Sequence, residues 1–168
     1  KDEDRKKHII NELKKQEIIN YEIINAIDGN KLNHQEIMLN TFGNKMSKNP
    51  WNTKMSPSQI GCALSHIKIY QKFIETEYKF ALILEDDAVF VNNLNETLIN
   101  FIANCFKYKK QIILLSELKQ FYSKPINKLK KYELVNVTNA FFTHAYCINK
   151  DAAKSIITFN YPVKTIAD

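Results

Sequence analysis

Three consecutive acidic residues, Glu85, Asp86 and Asp87, directly follow the five apolar residues 80–84. An uninterrupted apolar run of this length predicts a β-strand that is buried on both faces. Ligands of open α/β sheets bind at the carboxyl ends of the strands, which is where these acids should lie. Adjacent carboxylates repel one another, and a divalent cation that prefers oxygen ligands, Mn²⁺ or Mg²⁺, removes that cost. The alternative interpretation is a solvated acidic turn.

The spacing inside the acidic run separates its members. On an extended segment Glu85 and Asp87 point to the same side, whereas Asp86 points to the other side or turns away. We therefore predict Glu85 and Asp87 as the metal-facing pair. Two acids separated by one residue are common, so this prediction depends on their position after the apolar strand.

A second polar motif occurs in a predicted helix that begins with Ser56, Pro57 and Gln59, a typical capping sequence. Gly61 in its first turn costs about 1 kcal/mol relative to alanine, which indicates a close approach of backbone or ligand. Ser65 and His66 are adjacent polar residues on an otherwise apolar helix. They either line a binding site or form ordinary structural hydrogen bonds.

The elements that would position these residues alternate between helix and strand. This alternation predicts a single α/β domain over residues 1–168 with a mostly parallel central sheet. The predicted helices are 2–16, 34–39, 57–74, 94–105 and 150–159, and the predicted strands are 21–27, 80–84, 111–115, 134–137 and 145–148. Residues 41–55 contain chain-breaking residues together with Phe42, Met46, Trp51 and Met55. A loop of this length fits either a lid over a ligand or simple docking on the core.

Composition restricts the function classes. The net charge of +6 favours anionic partners such as nucleotides, phosphorylated glycolipids or an anionic membrane surface, although lysine is also the ordinary surface residue. Three isolated cysteines argue for reduced thiols in a cytoplasmic protein and against a disulfide framework. With three glycines in the chain, neither the G-x-G-x-x-G loop nor the G-x-x-x-x-G-K-[ST] loop that binds phosphate can be built.

The order of the motifs resembles glycosyltransferase family 25, the lipooligosaccharide galactosyltransferases and related enzymes. The family pattern is a G-C-x-x-S-H helix followed by I-L-E-D-D, and it is matched here by residues 61–66 and 83–87. Supporting matches are Asp4-Arg5, the turn at residues 25–29, the segment 143–153 and the segment 162–168.

This resemblance implies a GT-A-like, Rossmann-like nucleotide-sugar domain. It implies metal-dependent, inverting transfer of a hexose, with galactose from UDP-galactose as the expected donor sugar and a glycolipid or oligosaccharide as acceptor. Glu85 and Asp87 would hold the cation and the diphosphate, and Gly61, Ser65 and His66 would lie near the donor. Asp168 is the first candidate for the catalytic base and Asp86 the second. Lys164 replaces an acid that is frequent in the family segment.

Two other functions remain open at this point. Clustered carboxylates also serve other metal-dependent phosphoryl or nucleotidyl transferases, although those enzymes usually add a phosphate loop. A non-catalytic nucleotide-sugar-binding fragment is the other possibility. The chain resembles the middle of a longer enzyme, and we expect it to lack the family's first strand and C-terminal segment. We expect a cytoplasmic location, with peripheral contact at the inner face of a bacterial membrane, and no nucleic-acid partner.

Overall fold

The computed structural model describes residues 2–41, 55–90, 94, 96–106, 109–115, 124, 127–129, 132–135 and 144–165. Helices and strands alternate along the chain, which confirms the predicted α/β class. In chain order the elements are α1 (Asp2–Lys15), a 3₁₀ helix (Gly29–Lys31), α2 (His34–Asn40), α3 (Pro57–Glu75), β1 (Phe80–Leu84), α4 (Glu96–Cys105), β2 (Ile112–Leu114), β3 (Asn127–Leu129), β4 (Tyr132–Leu134), β5 (Ala145–Asn149) and α5 (Lys150–Asn160).

The chain divides into two compact units, each built from separate segments. The described residues of the first unit lie in Lys1–Tyr21 and Leu82–Ile148, and those of the second lie in Glu22–Ala81 and Asn149–Ala167. The single domain predicted over residues 1–168 stays a prediction.

The first unit contains a three-stranded sheet with the strand order β1-β5-β2. β2 and β5 pair antiparallel, with Ile113 opposite Cys147. At the other side of β5, the Glu85 amide donates to the His144 carbonyl at 2.8 Å, so the end of β1 lies beside the start of β5. The mostly parallel sheet predicted from the sequence is therefore wrong for the described strands. β1 and β2 do run in the same direction, but β5 enters between them in the opposite direction.

Burial within this sheet also differs from the prediction. Ile83 is the only buried residue of β1, and Phe80 is 38% exposed. The buried strand is β5, in which Tyr146, Cys147 and Ile148 are all buried. The reason is the strand order, because β1 and β2 occupy the two edges of the described sheet. α4 covers it through Ile102 and Cys105, which pack with Ile113 and Cys147.

The second unit is centred on α3, which packs against α5. The predicted capping sequence is confirmed: Ser56 accepts from the Gln59 amide and Gln59 accepts from the Ser56 amide. The apolar face of α3 is buried as the helical spacing predicts, and its core partners include Met55 and Val163. Asn149 caps α5 by accepting from the Ala152 amide, at the start of the helix that the sequence predicts from residue 150.

Two elements differ from the sequence-based expectation. Residues 21–27 form no strand, because their backbone bonds to side chains of α3. β3 and β4 pair antiparallel, with Lys128 opposite Glu133, and the sequence analysis predicts no strand at residues 127–129. None of the described helices is both long enough and apolar enough to span a membrane.

Candidate active site

The acidic residues form a tight turn directly after β1. The strand ends at Leu84, and the Ala88 amide donates to the Glu85 carbonyl at 3.2 Å. An i to i+3 bond of this kind closes a β-turn around the two central residues, Asp86 and Asp87. The extended geometry does not continue past Leu84, and the assignment of Glu85 and Asp87 as the metal-facing pair stays a prediction. The turn, and not a continuing strand, decides which carboxylates meet.

Arg5 of α1 joins the two aspartates. Its Nη1 lies 2.9 Å from Asp86 Oδ1, and its Nη2 lies 3.5 Å from Asp87 Oδ2. All three side chains are about half exposed, at 50%, 49% and 41% respectively. One guanidinium thus offsets the repulsion between two adjacent carboxylates, which otherwise need a cation. Both carboxylates remain accessible to a ligand.

The backbone after the turn is fixed to the same helix. His8 Nε2 donates to the Ala88 carbonyl at 3.1 Å. Glu12 Oε2 accepts from the Phe90 amide at 3.2 Å, and Gln16 Oε1 accepts from the Leu94 amide. α1 is therefore the support on which the acidic turn is held.

Glu12 is the buried charge of this arrangement, with 6% of its side chain exposed. Lys15 Nζ lies 2.5 Å from its Oε1. The hydrogen bond from Lys15, followed by that from the Phe90 amide, holds the pKa of Glu12 below its usual value of 4.5 against the opposing effect of burial. A buried carboxylate that is stabilised on both oxygens stays ionised and keeps a defined orientation.

The carboxylate oxygens of the turn suit a divalent cation that is bound together with a phosphate-bearing ligand. Asp86 and Asp87 offer accessible, hard carboxylate oxygens of the type that Mg²⁺ and Mn²⁺ prefer. Within the described residues there is no group of three or more potential ligands that would form a cage by itself. Mg²⁺ is usually held by one or two carboxylates together with substrate phosphates, and a pair of aspartates meets that requirement.

The second group of predicted site residues, on α3, contacts its own chain. A Cβ built on Gly61 would lie 2.5 Å from the Gly29 nitrogen and from the Ile27 oxygen. The close approach predicted at Gly61 is thus made by backbone. Ser65 Oγ accepts from the Ile27 amide at 2.8 Å and donates to the Gly61 carbonyl at 2.7 Å.

Further contacts join α3 to the residues that precede Ile27. Lys68 Nζ donates to the Asn25 carbonyl at 3.2 Å, and Lys72 forms an ion pair with Glu22. His66 is buried, with its ring 6.2 Å from that of Tyr70. The described bonds of Ser65 are structural, and a role of Gly61, Ser65 and His66 beside a donor stays a prediction.

Two predictions lie wholly or mostly outside the described residues. Asp168, the first candidate for the base, is one of them. The proposed lid at residues 41–55 is the other, and only its ends are described: Thr41 pairs with Val163, and Met55 is buried in the core of the second unit.

The whole chain, residues 1–168, matches the sequence model of glycosyltransferase family 25, described as LPS biosynthesis protein. The chain belongs to glycosyltransferase family 25. The resemblance seen in the sequence is thereby confirmed. This family-25 chain is 24% identical over 166 residues to human procollagen galactosyltransferase 2, covering 94% of the chain and 26% of the relative.

Two further relatives of this family-25 chain come from other branches of life. A putative glycosyltransferase of Haemophilus influenzae is 32% identical over 122 residues, covering 72% of the chain and 40% of the relative. A procollagen lysyl hydroxylase and glycosyltransferase of Acanthamoeba polyphaga mimivirus is 26% identical over 159 residues, covering 85% of the chain and 16% of the relative. The chain spans about a quarter of the length of the procollagen galactosyltransferases it matches.

Sequence reasoning about this family-25 chain missed the supports of its motifs. Arg5 was noted only as half of an acidic-Arg pair, and Glu12 was not singled out. The sequence does contain a pattern that could have revealed them. Arg5, His8, Glu12 and Gln16 are spaced three or four residues apart, which places polar side chains on one face of the predicted helix. Spacing reveals such a face but not the segment that it contacts.

Proposed function

We propose that this chain binds a UDP-sugar and transfers its hexose, with galactose as the sugar, to a hydroxyl of a glycan acceptor. The observation that carries the proposal is the match to the family over residues 1–168. The names of the relatives support galactose, since three of them are procollagen galactosyltransferases. Family membership also favours this function over the phosphoryl or nucleotidyl transferases.

The acidic turn is the proposed site for the donor diphosphate. Its two central carboxylates lie side by side at the carboxyl end of β1, are half exposed and share one guanidinium. We assign Asp86 and Asp87 to the cation, with Glu85 beside them. A divalent cation held there would supply positive charge against the negative charge that develops on the departing UDP.

The residues of this chain contribute position and charge. Arg5 keeps Asp86 and Asp87 together before the donor binds, and its planar fork suits a phosphate as well as a carboxylate. Asp86 already has this cationic partner, so we assign the proton-accepting role to Asp168. A base in that role accepts the proton of the acceptor hydroxyl as the oxygen attacks the anomeric carbon, with inversion.

A GT-A-like architecture is part of the same proposal. β1 and β2 run in the same direction on either side of β5. The carboxyl ends of both strands therefore lie at the same end of the sheet. Strand ends at one edge are where nucleotides bind in α/β sheets. The acceptor is proposed as a glycan or glycolipid from the family description. The cytoplasmic location expected from the isolated cysteines and the membrane contact expected from the charge both remain predictions.

Donor binding and turnover test the proposal together. UDP-galactose, UDP-glucose and GDP-mannose are compared by calorimetry in Mn²⁺, in Mg²⁺ and in excess chelator, followed by transfer assays with lipooligosaccharide and procollagen peptide acceptors. We expect cation-dependent binding of UDP-galactose that Asp87→Asn weakens at least tenfold, the lower end of the range for changes at metal sites. Glu77→Gln, which removes an exposed carboxylate from the second unit, is the matched control. UDP affinity that is unchanged by the chelator and by Asp87→Asn would contradict the proposed site.

A further inference from the structure

Side chains on one face of α1 form hydrogen bonds, one after another, to the acidic turn and to the residues that follow it. Successive side chains of this face, three or four residues apart, contact successive positions of residues 86–94 in the same direction. The pairs are Arg5 with Asp86, His8 with Ala88, Glu12 with Phe90 and Gln16 with Leu94. At 100° per residue Arg5, His8 and Glu12 lie within about 60° of one another on α1, and Gln16, directly after the end of the helix, continues the same face. They form a continuous seam, which we call the α1 seam.

Apolar contacts reinforce the seam from the adjoining positions of the helix. Ile9 and Leu13 pack against Ala88, and all three are buried, at 8%, 5% and 6% exposed. Leu84 and Phe90 border this cluster on either side of the turn. The backbone is thus anchored before and after the acidic residues, which constrains where the turn can lie.

Glu12 is the most constrained polar contact of the seam. Arg5, Asp86 and Asp87 are half exposed and can rearrange in water, whereas Glu12 is buried. Both of its oxygens are engaged, one by Lys15 and the other by the Phe90 amide. If this acceptor is lost, the Phe90 amide must find another partner or remain unsatisfied, and the segment is then free to shift.

We propose that Glu12 is a positioning residue for donor binding: by accepting from the Phe90 amide it sets the register of residues 85–90 on α1. That register determines where Asp86 and Asp87 present their carboxylates. The inference rests on the proposed function, in which these carboxylates hold the cation and the diphosphate. It adds a buried residue, two turns along α1 from Arg5, that acts on the donor only through the backbone.

Three substitutions of Glu12 separate its charge from its reach. Glu12→Ala removes the acceptor, and Glu12→Asp keeps the charge but is one methylene too short for the Phe90 amide. Glu12→Gln keeps an oxygen at the same reach without the charge. The matched control is Glu3→Gln, which makes the same chemical change at an exposed position of α1. If Glu12→Ala does not fold, the comparison of Glu12→Asp with Glu12→Gln still shows whether UDP binding depends on an oxygen within reach of the Phe90 amide.

The readouts are the UDP dissociation constant in Mn²⁺, the donor and acceptor KM values, and hydrogen exchange at the Phe90 amide. We expect Glu12→Ala and Glu12→Asp to weaken UDP binding about tenfold, as loss of outer-shell support does at metal sites. The acceptor KM stays unchanged, the Phe90 amide exchanges faster, and Glu12→Gln restores UDP binding to within about threefold. A purely structural role would instead lower the melting temperature and leave the UDP affinity of the folded protein intact.

The outcomes distinguish this inference from the function on which it rests. If the wild-type protein binds no UDP, the proposed function is wrong and the positioning role for donor binding falls with it. If the wild type binds UDP and Asp87→Asn weakens it, but folded Glu12→Ala and Glu12→Asp bind like Glu3→Gln, the positioning role alone is wrong.

Discussion

Arg5 occupies the position that a cation would take between two carboxylates. Its guanidinium contacts both Asp86 and Asp87 and is half exposed, so it is a weak stabiliser and an available competitor. A divalent ion that binds this pair must displace it or share the pair with it. In the proposed donor site, Arg5 would therefore stabilise the pair of carboxylates without ligand and compete with a metal ion before the donor binds.

Arg5→Gln should therefore raise the affinity for Mn²⁺ in the absence of nucleotide by several fold, while changing the free energy of unfolding by less than about 1 kcal/mol. Mn²⁺ binding is measured by electron paramagnetic resonance and stability by urea unfolding. Lys7→Gln removes the same charge from an exposed position of α1 and controls for long-range electrostatics. Equal or weaker Mn²⁺ binding by Arg5→Gln would show that the guanidinium does not compete.

Gly61 shows how a single missing side chain permits two segments to meet. A methyl group there would lie 2.5 Å from backbone atoms of Ile27 and Gly29, which cannot move as a flexible side chain can. In an exposed helix Gly→Ala is favourable by about 1 kcal/mol, so propensity and packing predict opposite signs. The outcome decides between them.

We expect Gly61→Ala to destabilise the protein by about 1–3 kcal/mol, the usual cost of overpacking. Urea unfolding followed by circular dichroism measures the change. Gln71→Ala, at an exposed position of the same helix, is the control and should be nearly neutral. A stabilised Gly61→Ala protein would mean that the turn at residues 27–29 does not contact α3.

At the scale of elements, α1 and α3 each support a segment that has no regular structure of its own. α1, with Gln16 directly after it, holds residues 86–90 and Leu94 in the parallel sense, and α3 holds residues 22–29 in the antiparallel sense. In both cases side chains three and four residues apart bond to the backbone of the segment, in place of a neighbouring strand. This explains why residues 21–27, which look like a strand in sequence, form none.

Ser65→Ala tests the support given by α3. It leaves the Ile27 amide without its described acceptor, and we expect a loss of about 1–3 kcal/mol in stability. Ser58→Ala, at an exposed position in the first turn of α3, is the matched control. The UDP affinity of the folded Ser65→Ala protein is a separate readout: a loss in affinity would support the predicted donor role, and an unchanged value would leave Ser65 a structural residue.

For the whole molecule, pH links the seam at Glu12 to global stability. Its pKa is lowered in the folded state, first by Lys15 and then by the Phe90 amide. A lowered carboxyl pKa contributes stability that is complete above the unfolded value near 4.5 and is lost as the pH falls through the folded value. Glu12→Gln cannot titrate and lacks this dependence.

The stability difference between wild type and Glu12→Gln should therefore be constant above about pH 5 and shrink as the pH falls below about 4.5. Urea midpoints between about pH 3 and pH 7 provide the measurement. Glu3→Gln again serves as the control, with a difference that stays small at every pH. A wild-type advantage that grows in acid would contradict the assigned state of Glu12.

The sequence by itself determined what local rules govern. Capping residues fixed the starts of α3 and α5, helical spacing fixed the buried face of α3, and the ordered motifs identified the family. These features depend on neighbours within about one helical turn or on motif order, so they can be read without a structure.

Only the tertiary structure decided which segments meet. The turn around Asp86 and Asp87, the entry of β5 between β1 and β2, and the contact of Gly61 with Gly29 all join residues that are distant in sequence or depend on such a contact. Arg5 and Asp86 are 81 residues apart, and no local pattern in either segment specifies the other. Helical periodicity shows that a face has a partner, whereas its identity is decided by packing of the whole chain.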